Sequence, residues 1–175
     1  MKALIRYTKQ DIEFFIKERE PFFKIWECFL DAGRGILTAS TVIYSEECEG
    51  HFPGKTYVPL IRISERMAQT GLVLVGVLTK EAMERTPIAI GHGVGAALSK
   101  RFPRPELDLR LEAREASYLS PLVLFQKIKT AIFLQRKCFV IDILAHGKWG
   151  KMDQFTPVAS LRVYYILIDV PRQND

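Results

Sequence analysis

The sequence predicts an α+β fold: an antiparallel sheet wrapped around one long central helix. Three observations carry that expectation. Leu60 to roughly Met83 is apolar around much of a helical circumference, with Leu72, Val73, Leu74, Val75, Val77 and Leu78 nearly contiguous. Such a helix is buried on most sides. Leu107 to Ala116 alternates strictly, setting Leu107, Leu109, Leu111 and Ala113 against Asp108, Arg110, Glu112 and Arg114, which is the period of a half-buried strand. Further stretches rich in β-branched and aromatic residues lie on both sides of the helix in sequence. In α+β proteins helices segregate to one face of such a sheet.

Taken in order, Asp11 to Lys17 has Ile12, Phe15 and Ile16 at helical spacing with acids in its first turn, and predicts a short helix within an N-terminal extension spanning 1–18. Phe22 to Leu30 partly alternates and is aromatic-rich, so it reads as a strand. Asp31 to Gly35 reads as a turn and Ile36 to Tyr44 as the second strand of a hairpin. Ser45 to Pro59 is a loop marked by Gly50, Pro53, Gly54 and Pro59, and Pro59 stands where a helix can begin. Beyond the helix, Pro87 to Gly91 reads as a strand running into the glycine-rich bend Gly91 to Phe102. Cys138 to His146 and Val158 to Ile168 are two more strands joined by a polar turn. The block 117–136 fits a bulged strand or a short helix laid across an edge. The predicted order is two strands, the long helix, then four strands, in a single domain over 1–175. A sheet of this kind leaves an edge strand unpaired, so dimerisation by sheet extension is expected.

Composition narrows the function. The chain has 175 residues, 48% hydrophobic and 26% charged, with a net charge of +5. That is enough apolar material for one core and argues against global disorder. The Lys and Arg residues are dispersed, without a basic run interleaved with aromatics, so nucleic acid is not the expected partner. Cys28, Cys48 and Cys138 are odd in number and far apart, which fits a reducing compartment rather than a disulfide framework or a zinc knuckle. The N-terminus does not read as a signal peptide, and no segment reaches the length of a membrane span. A cytoplasmic location is expected, and neither a metal nor an organic cofactor.

One constellation carries chemistry. His51 precedes Phe-Pro-Gly in Gly50–Gly54, and Glu65 lies fourteen positions on, inside the apolar helix. The chain resembles the (3R)-3-hydroxyacyl-(acyl carrier protein) dehydratases of fatty acid synthesis, which have the hot-dog fold. Arg19-Glu-Pro-Phe-Phe is similar to that family's Arg-Tyr-Pro-Phe, and Gly50-His-Phe-Pro-Gly54 to its Gly-His-Phe-Pro-Gly. Pro59-Leu-Ile-Arg-Ile-Ser-Glu-Arg-Met-Ala-Gln69 resembles Pro-Gly-x-x-x-x-Glu-Ala-Met-Ala-Gln, with the family's His-to-Glu separation. Leu98 to Pro105 is a weaker echo of Ala-Arg-Phe-Lys-Arg-Pro. The likeness covers about 19–116; 117–136 looks like an insertion atypical of the family.

The resemblance implies a reaction. Removing water from a 3-hydroxyacyl thioester needs a base for the proton beside the carbonyl, an acid for the departing hydroxyl, and donors for the thioester oxygen. His51, whose free pKa is about 6.5, suits the base. Glu65 suits the acid. Ile61, Glu65, Ala68, Leu72 and Val75 share a helical face; if that face is buried, desolvation raises the Glu65 pKa. By resemblance, His51 of one subunit meets Glu65 of the other across a homodimer, which could assemble further. Leu60 and Ile61 open the helix, where free backbone N–H groups and the positive dipole end suit the thioester oxygen. Leu60 replaces a family glycine: the N–H survives, but the side chain reshapes the pocket. Gly54, Tyr57 and Gln69 are further candidate substrate contacts, as are Gly93 and Val94, where the family's strand flanks the acyl tunnel. The substrate would ride on acyl carrier protein or coenzyme A, with Lys55, Lys100, Arg101 and Arg104 as candidate phosphate or carrier contacts.

Each residue also has a plainer reading. His51 could be a loop histidine satisfied by backbone, Glu65 a helical carboxylate paired with Arg62 or Arg66, and Gln69 structural. His92 sits in GHGVG, which lacks the spacing of a phosphate-binding loop. Cys48 has no supporting acid. A thioesterase on the same fold, using Glu65 alone, is the alternative, since Val123 to Asp142 faintly resembles long-chain acyl-coenzyme A thioesterases of actinobacterial type. A non-catalytic acyl-thioester-binding subunit is the third reading.

Overall fold

The structure is a computed structural model, and it describes residues 4–16, 23–49, 58–79, 86–90, 106–117 and 138–168. Among these residues seven strands form one antiparallel sheet: β1 (Leu4–Tyr7), β2 (Cys28–Asp31), β3 (Ile36–Tyr44), β4 (Thr86–Ile90), β5 (Glu106–Glu115), β6 (Cys138–Trp149) and β7 (Thr156–Ile168). Their spatial order is β1-β2-β3-β5-β6-β7-β4. The helix α2 (Leu60–Thr79) crosses the concave face and packs on β3, β5, β6 and β7. A shorter helix, α1 (Lys9–Phe15), lies on α2.

The alternation in β5 acts as expected. Leu107, Leu109, Leu111 and Ala113 are buried, while Asp108, Arg110 and Arg114 face outward. The paired register Leu37–Ala113, Ala39–Leu111, Thr41–Leu109 and Ile43–Leu107 brings the inward sets of β3 and β5 onto one face. A one-residue slip of either strand would turn its inward set to solvent. Val73, Leu74 and Val75 of α2 complete the core with no exposed surface.

The β2–β3 hairpin closes as the Asp31–Gly35 turn predicts. Asp31 accepts from Arg34 N–H and Gly35 N–H through its carbonyl, and from Gly33 N–H through its side chain. Gly35 has φ +64, a conformation that favours glycine.

Four expectations need correction. Of the strand read over Phe22 to Leu30, the described part pairs only from Cys28. Upstream, the Lys24 N–H donates to Gln69 Oε1 at 2.9 Å and its carbonyl accepts from Thr41 Oγ1 at 2.8 Å, so side chains take the backbone groups a ladder would use. The first helix starts at Lys9 rather than Asp11, because Thr8 caps it and Asp11 is the third residue of a reciprocal capping box. The extension 1–18 is not helical alone, since Leu4–Tyr7 pairs with β2 as an edge strand. Its side chains are too exposed to show alternation, with Leu4 64% exposed. Finally, β6 runs on to Trp149 because Lys148 and Trp149 pair with Asp108 and Leu107.

Candidate functional site

The N-terminal half of α2 carries the candidate chemistry. Leu60 is 46% exposed and Ile61 64%, so the start of the helix is open. In the first turn the Arg62 N–H donates to Pro59 O at 3.0 Å, while the N–H groups of Leu60 and Ile61 come before any intrahelical acceptor, at the positive end of the dipole. Ile61, Glu65, Ala68, Leu72 and Val75 do share a face, but its burial is graded. Leu72 and Val75 are in the core, whereas Glu65 and Ala68 are only partly covered and Ile61 is exposed. The opposite face is buried through Ile63, Arg66, Met67 and Thr70.

Glu65 lies 3.8 Å from Arg62 Nη1. Arg62 is thus its ionic neighbour, and Arg66 is not. Arg66 points inward and is 1% exposed. It donates from Nη2 to both Glu47 carboxylate oxygens, each at 2.8 Å, and to Val42 O at 3.2 Å; its Nη1 reaches Arg62 O at 3.1 Å. Arg66 Nε is buried without a hydrogen-bond partner. Glu47 is the third residue of a 3₁₀ turn, Ser45–Cys48, that follows β3 directly. Lys24 Nζ stands 3.5 Å from Glu47, and Arg62 Nε donates to the Glu47 carbonyl at 3.3 Å. Burial pushes the Glu47 carboxyl up, but the hydrogen bonds and charge of Arg66, the Tyr44 N–H and Lys24 outweigh it and hold it below the usual glutamate value.

Gln69 is buried, and its side-chain oxygen holds the Lys24 N–H, fixing the segment ahead of β2. It acts as a structural tether here. At the preceding residue, Tyr165 of β7 donates from its hydroxyl to Ala68 O at 2.7 Å. Burial pushes the Cys28 thiol up to about 12 and also raises Cys48, whose Sγ faces Tyr44 O. Both thiols are therefore protonated at neutral pH, which does not suit a nucleophile.

His51, Gly54, Tyr57, His92, Gly93 and Val94 lie outside the described residues, as do Lys55, Lys100, Arg101, Arg104 and nearly all of 117–136. Of the candidate residues, the structure therefore brings Leu60, Ile61, Glu65 and Gln69 into view on one helix. The sequence reading missed the Arg66–Glu47–Lys24 cluster. A signal was there: Ile63, Met67, Thr70 and Leu74 form the inner stripe of α2, and Arg66 is the charged residue set beside it. Among the described residues, no group of three His, Cys, Asp or Glu side chains could hold a metal ion.

An antiparallel sheet curled over one long helix, with the helix start open at the surface, defines a hot-dog protein. No protein-family profile matches the chain. Sequence relatives do. The 3-hydroxyacyl-(acyl-carrier-protein) dehydratase FabZ of Chloroflexus aggregans is 32% identical over 108 residues, 60% of this chain and 72% of that protein. The FabZ of Bacillus thuringiensis is 32% identical over 117 residues, 65% of this chain and 78% of that protein. The chain belongs to the FabZ family of 3-hydroxyacyl-(acyl carrier protein) dehydratases. Among solved structures, a candidate thioesterase from Lactococcus lactis aligns over 95% of this chain and 92% of that one, at 8% identity and a TM-score of 0.45. A protein of unknown function from Pseudomonas aeruginosa, described as a candidate thioesterase, covers 76% of each chain at 17% identity and a TM-score of 0.42.

Proposed function

We propose that the protein removes water from a 3-hydroxyacyl thioester, giving the trans-2-enoyl thioester for fatty acid or polyketide-type synthesis. The observation that carries this reading is the placement of Glu65 on the open side of α2, one turn after the exposed helix start, in a chain of the dehydratase family. In the reaction His51 takes the proton from the carbon beside the thioester carbonyl. The electron pair forms the new double bond, the C3–O bond breaks, and Glu65 gives its proton to the leaving hydroxyl, so that one water departs. N–H groups at Leu60 and Ile61 receive the charge that builds on the thioester oxygen. The open strip of Ile61, Glu65 and Ala68 supports a homodimer in which a second copy covers this face and brings its own His51. Acyl carrier protein or coenzyme A carries the substrate, in the cytoplasm. No helix among the described residues is long and apolar enough to cross a membrane.

Mass spectrometry tests the reading. The protein is incubated with 3-hydroxyacyl thioesters of several chain lengths on both carriers, beside His51→Ala and Glu65→Ala variants. Loss of one water from an intact thioester, abolished in both variants, is the expected result. Release of free acid and thiol that depends on Glu65 but not on His51 would instead assign a thioesterase.

A further inference from the structure

We propose that Arg66 and Glu47 are positioning residues of this reaction: a buried ion pair that clamps the turn leading to His51 onto the helix that carries Glu65. The inference rests on the dehydratase reading for its catalytic half. Its structural half stands on the described contacts alone.

The clamp grips Glu47 at two points. Its carboxylate is held by Arg66 Nη2 at 2.8 Å to each oxygen, and its backbone carbonyl by Arg62 Nε at 3.3 Å. Arg62 and Arg66 flank Glu65 in the chain, so the residue that would give the proton lies between the two that hold the turn. Arg66 also donates to Val42 O in β3 and to Arg62 O in α2. One planar guanidinium therefore ties strand, turn and helix together, which a lysine's single ammonium could not reproduce. Chain connectivity carries the effect onward. His51 follows Glu47 by four residues in the chain, so the clamped turn is where the segment that carries it begins.

The chemical cost of the arrangement also points to positioning. Arg66 is 1% exposed and leaves Nε without a partner. Well-packed apolar residues in place of such a buried pair are often neutral or better for stability. What they would not supply is a directed link between two elements, and two groups that must meet one substrate depend on such alignment.

The test compares the full chain with Glu47→Gln, Arg66→Met and the double variant. Three quantities are measured: hydrogen exchange of peptides covering 44–57 and 60–79, unfolding in urea, and steady-state water elimination. In each single variant, exchange should rise in 44–57 and not in the core of α2. Misplacement of about 1 Å should lower kcat by about a hundredfold with KM within about threefold. The double variant, freed of an unpaired buried charge, should regain stability but neither the protection nor the kcat. Unchanged exchange in 44–57 would overturn the clamp. Recovery of kcat together with stability in the double variant would reduce the pair to a structural role. Should Arg66→Met not fold, Glu47→Gln and the double variant still decide the matter. Should the wild type eliminate no water, the catalytic half falls with the dehydratase reading, and hydrogen exchange alone decides whether the clamp exists.

Discussion

Gly71→Ala is the sharpest probe of how α2 is seated in the sheet. In an exposed helix this change would stabilise by about 1 kcal/mol, because glycine is a poor helix former. Here a Cβ at Gly71 would stand 2.3 Å from the Tyr165 hydroxyl and 3.0 Å from both Tyr165 Cζ and Ile143 Cδ1. Tyr165 is fully buried, so it cannot swing into solvent, and its hydroxyl must leave Ala68 O. Overpacking of a tight core costs about 1–3 kcal/mol, and a typical buried hydrogen bond contributes about 1 kcal/mol. Set against the helix gain, the net expectation is a loss of about 2 kcal/mol. Tyr165→Phe removes the atom at 2.3 Å and leaves only the 3.0 Å contacts, which small shifts can absorb. The two substitutions should therefore couple, the double variant being more stable than their sum by about 1 kcal/mol. Urea unfolding followed by circular dichroism at one fixed protein concentration measures all four proteins, since dimerisation would make the midpoint depend on concentration. A stabilised Gly71→Ala variant, or strict additivity, would refute the packing described here.

The same reasoning applies where α1 meets α2. A Cβ at Gly76 would stand 2.6 Å from Phe15 Cβ, so Gly76→Ala should cost about 1–3 kcal/mol and expose 4–16 to limited proteolysis sooner than in the wild type. Glu47 gives a pH dependence with a definite sign. Its folded-state carboxyl is held below the usual value, so the folded state binds its proton less tightly than the unfolded chain. The stability it contributes is present above the unfolded glutamate value, about 4.3, and is lost as pH falls through the lower folded value. The gap in unfolding free energy between wild type and Glu47→Gln should accordingly be widest near neutral pH and close on acidification. A gap that stays constant from neutral pH into acid would remove the charge from the account.

Sequence periodicity was enough for the elements whose burial follows a regular pattern. Leu107 to Ala113 has one solution as a strand, and Leu72 to Val77 has one as a buried helix, because apolar surface removed from water fixes which face turns inward. Ile36–Tyr44 was legible for the same reason, strand and hairpin turn together. The His-Phe-Pro-Gly stretch and Glu65 are local in sequence, and their spacing is a one-dimensional fact. What the chain alone could not show depends on which residues meet across long separations. Leu4–Tyr7 is a strand only because β2 lies beside it, and Phe23 to Glu27 departs from a strand because Gln69 and Thr41 take up the hydrogen-bonding groups of Lys24. Neither fact has a local periodicity. Arg66 makes the point most clearly. By residue type it belonged at the surface as a neighbour for Glu65, and only its place beside the stripe of Ile63, Met67, Thr70 and Leu74 pointed inward. The packing of β3 and its following turn against α2 set Glu47 within hydrogen-bonding reach, and a buried guanidinium is tolerated only where such a carboxylate meets it.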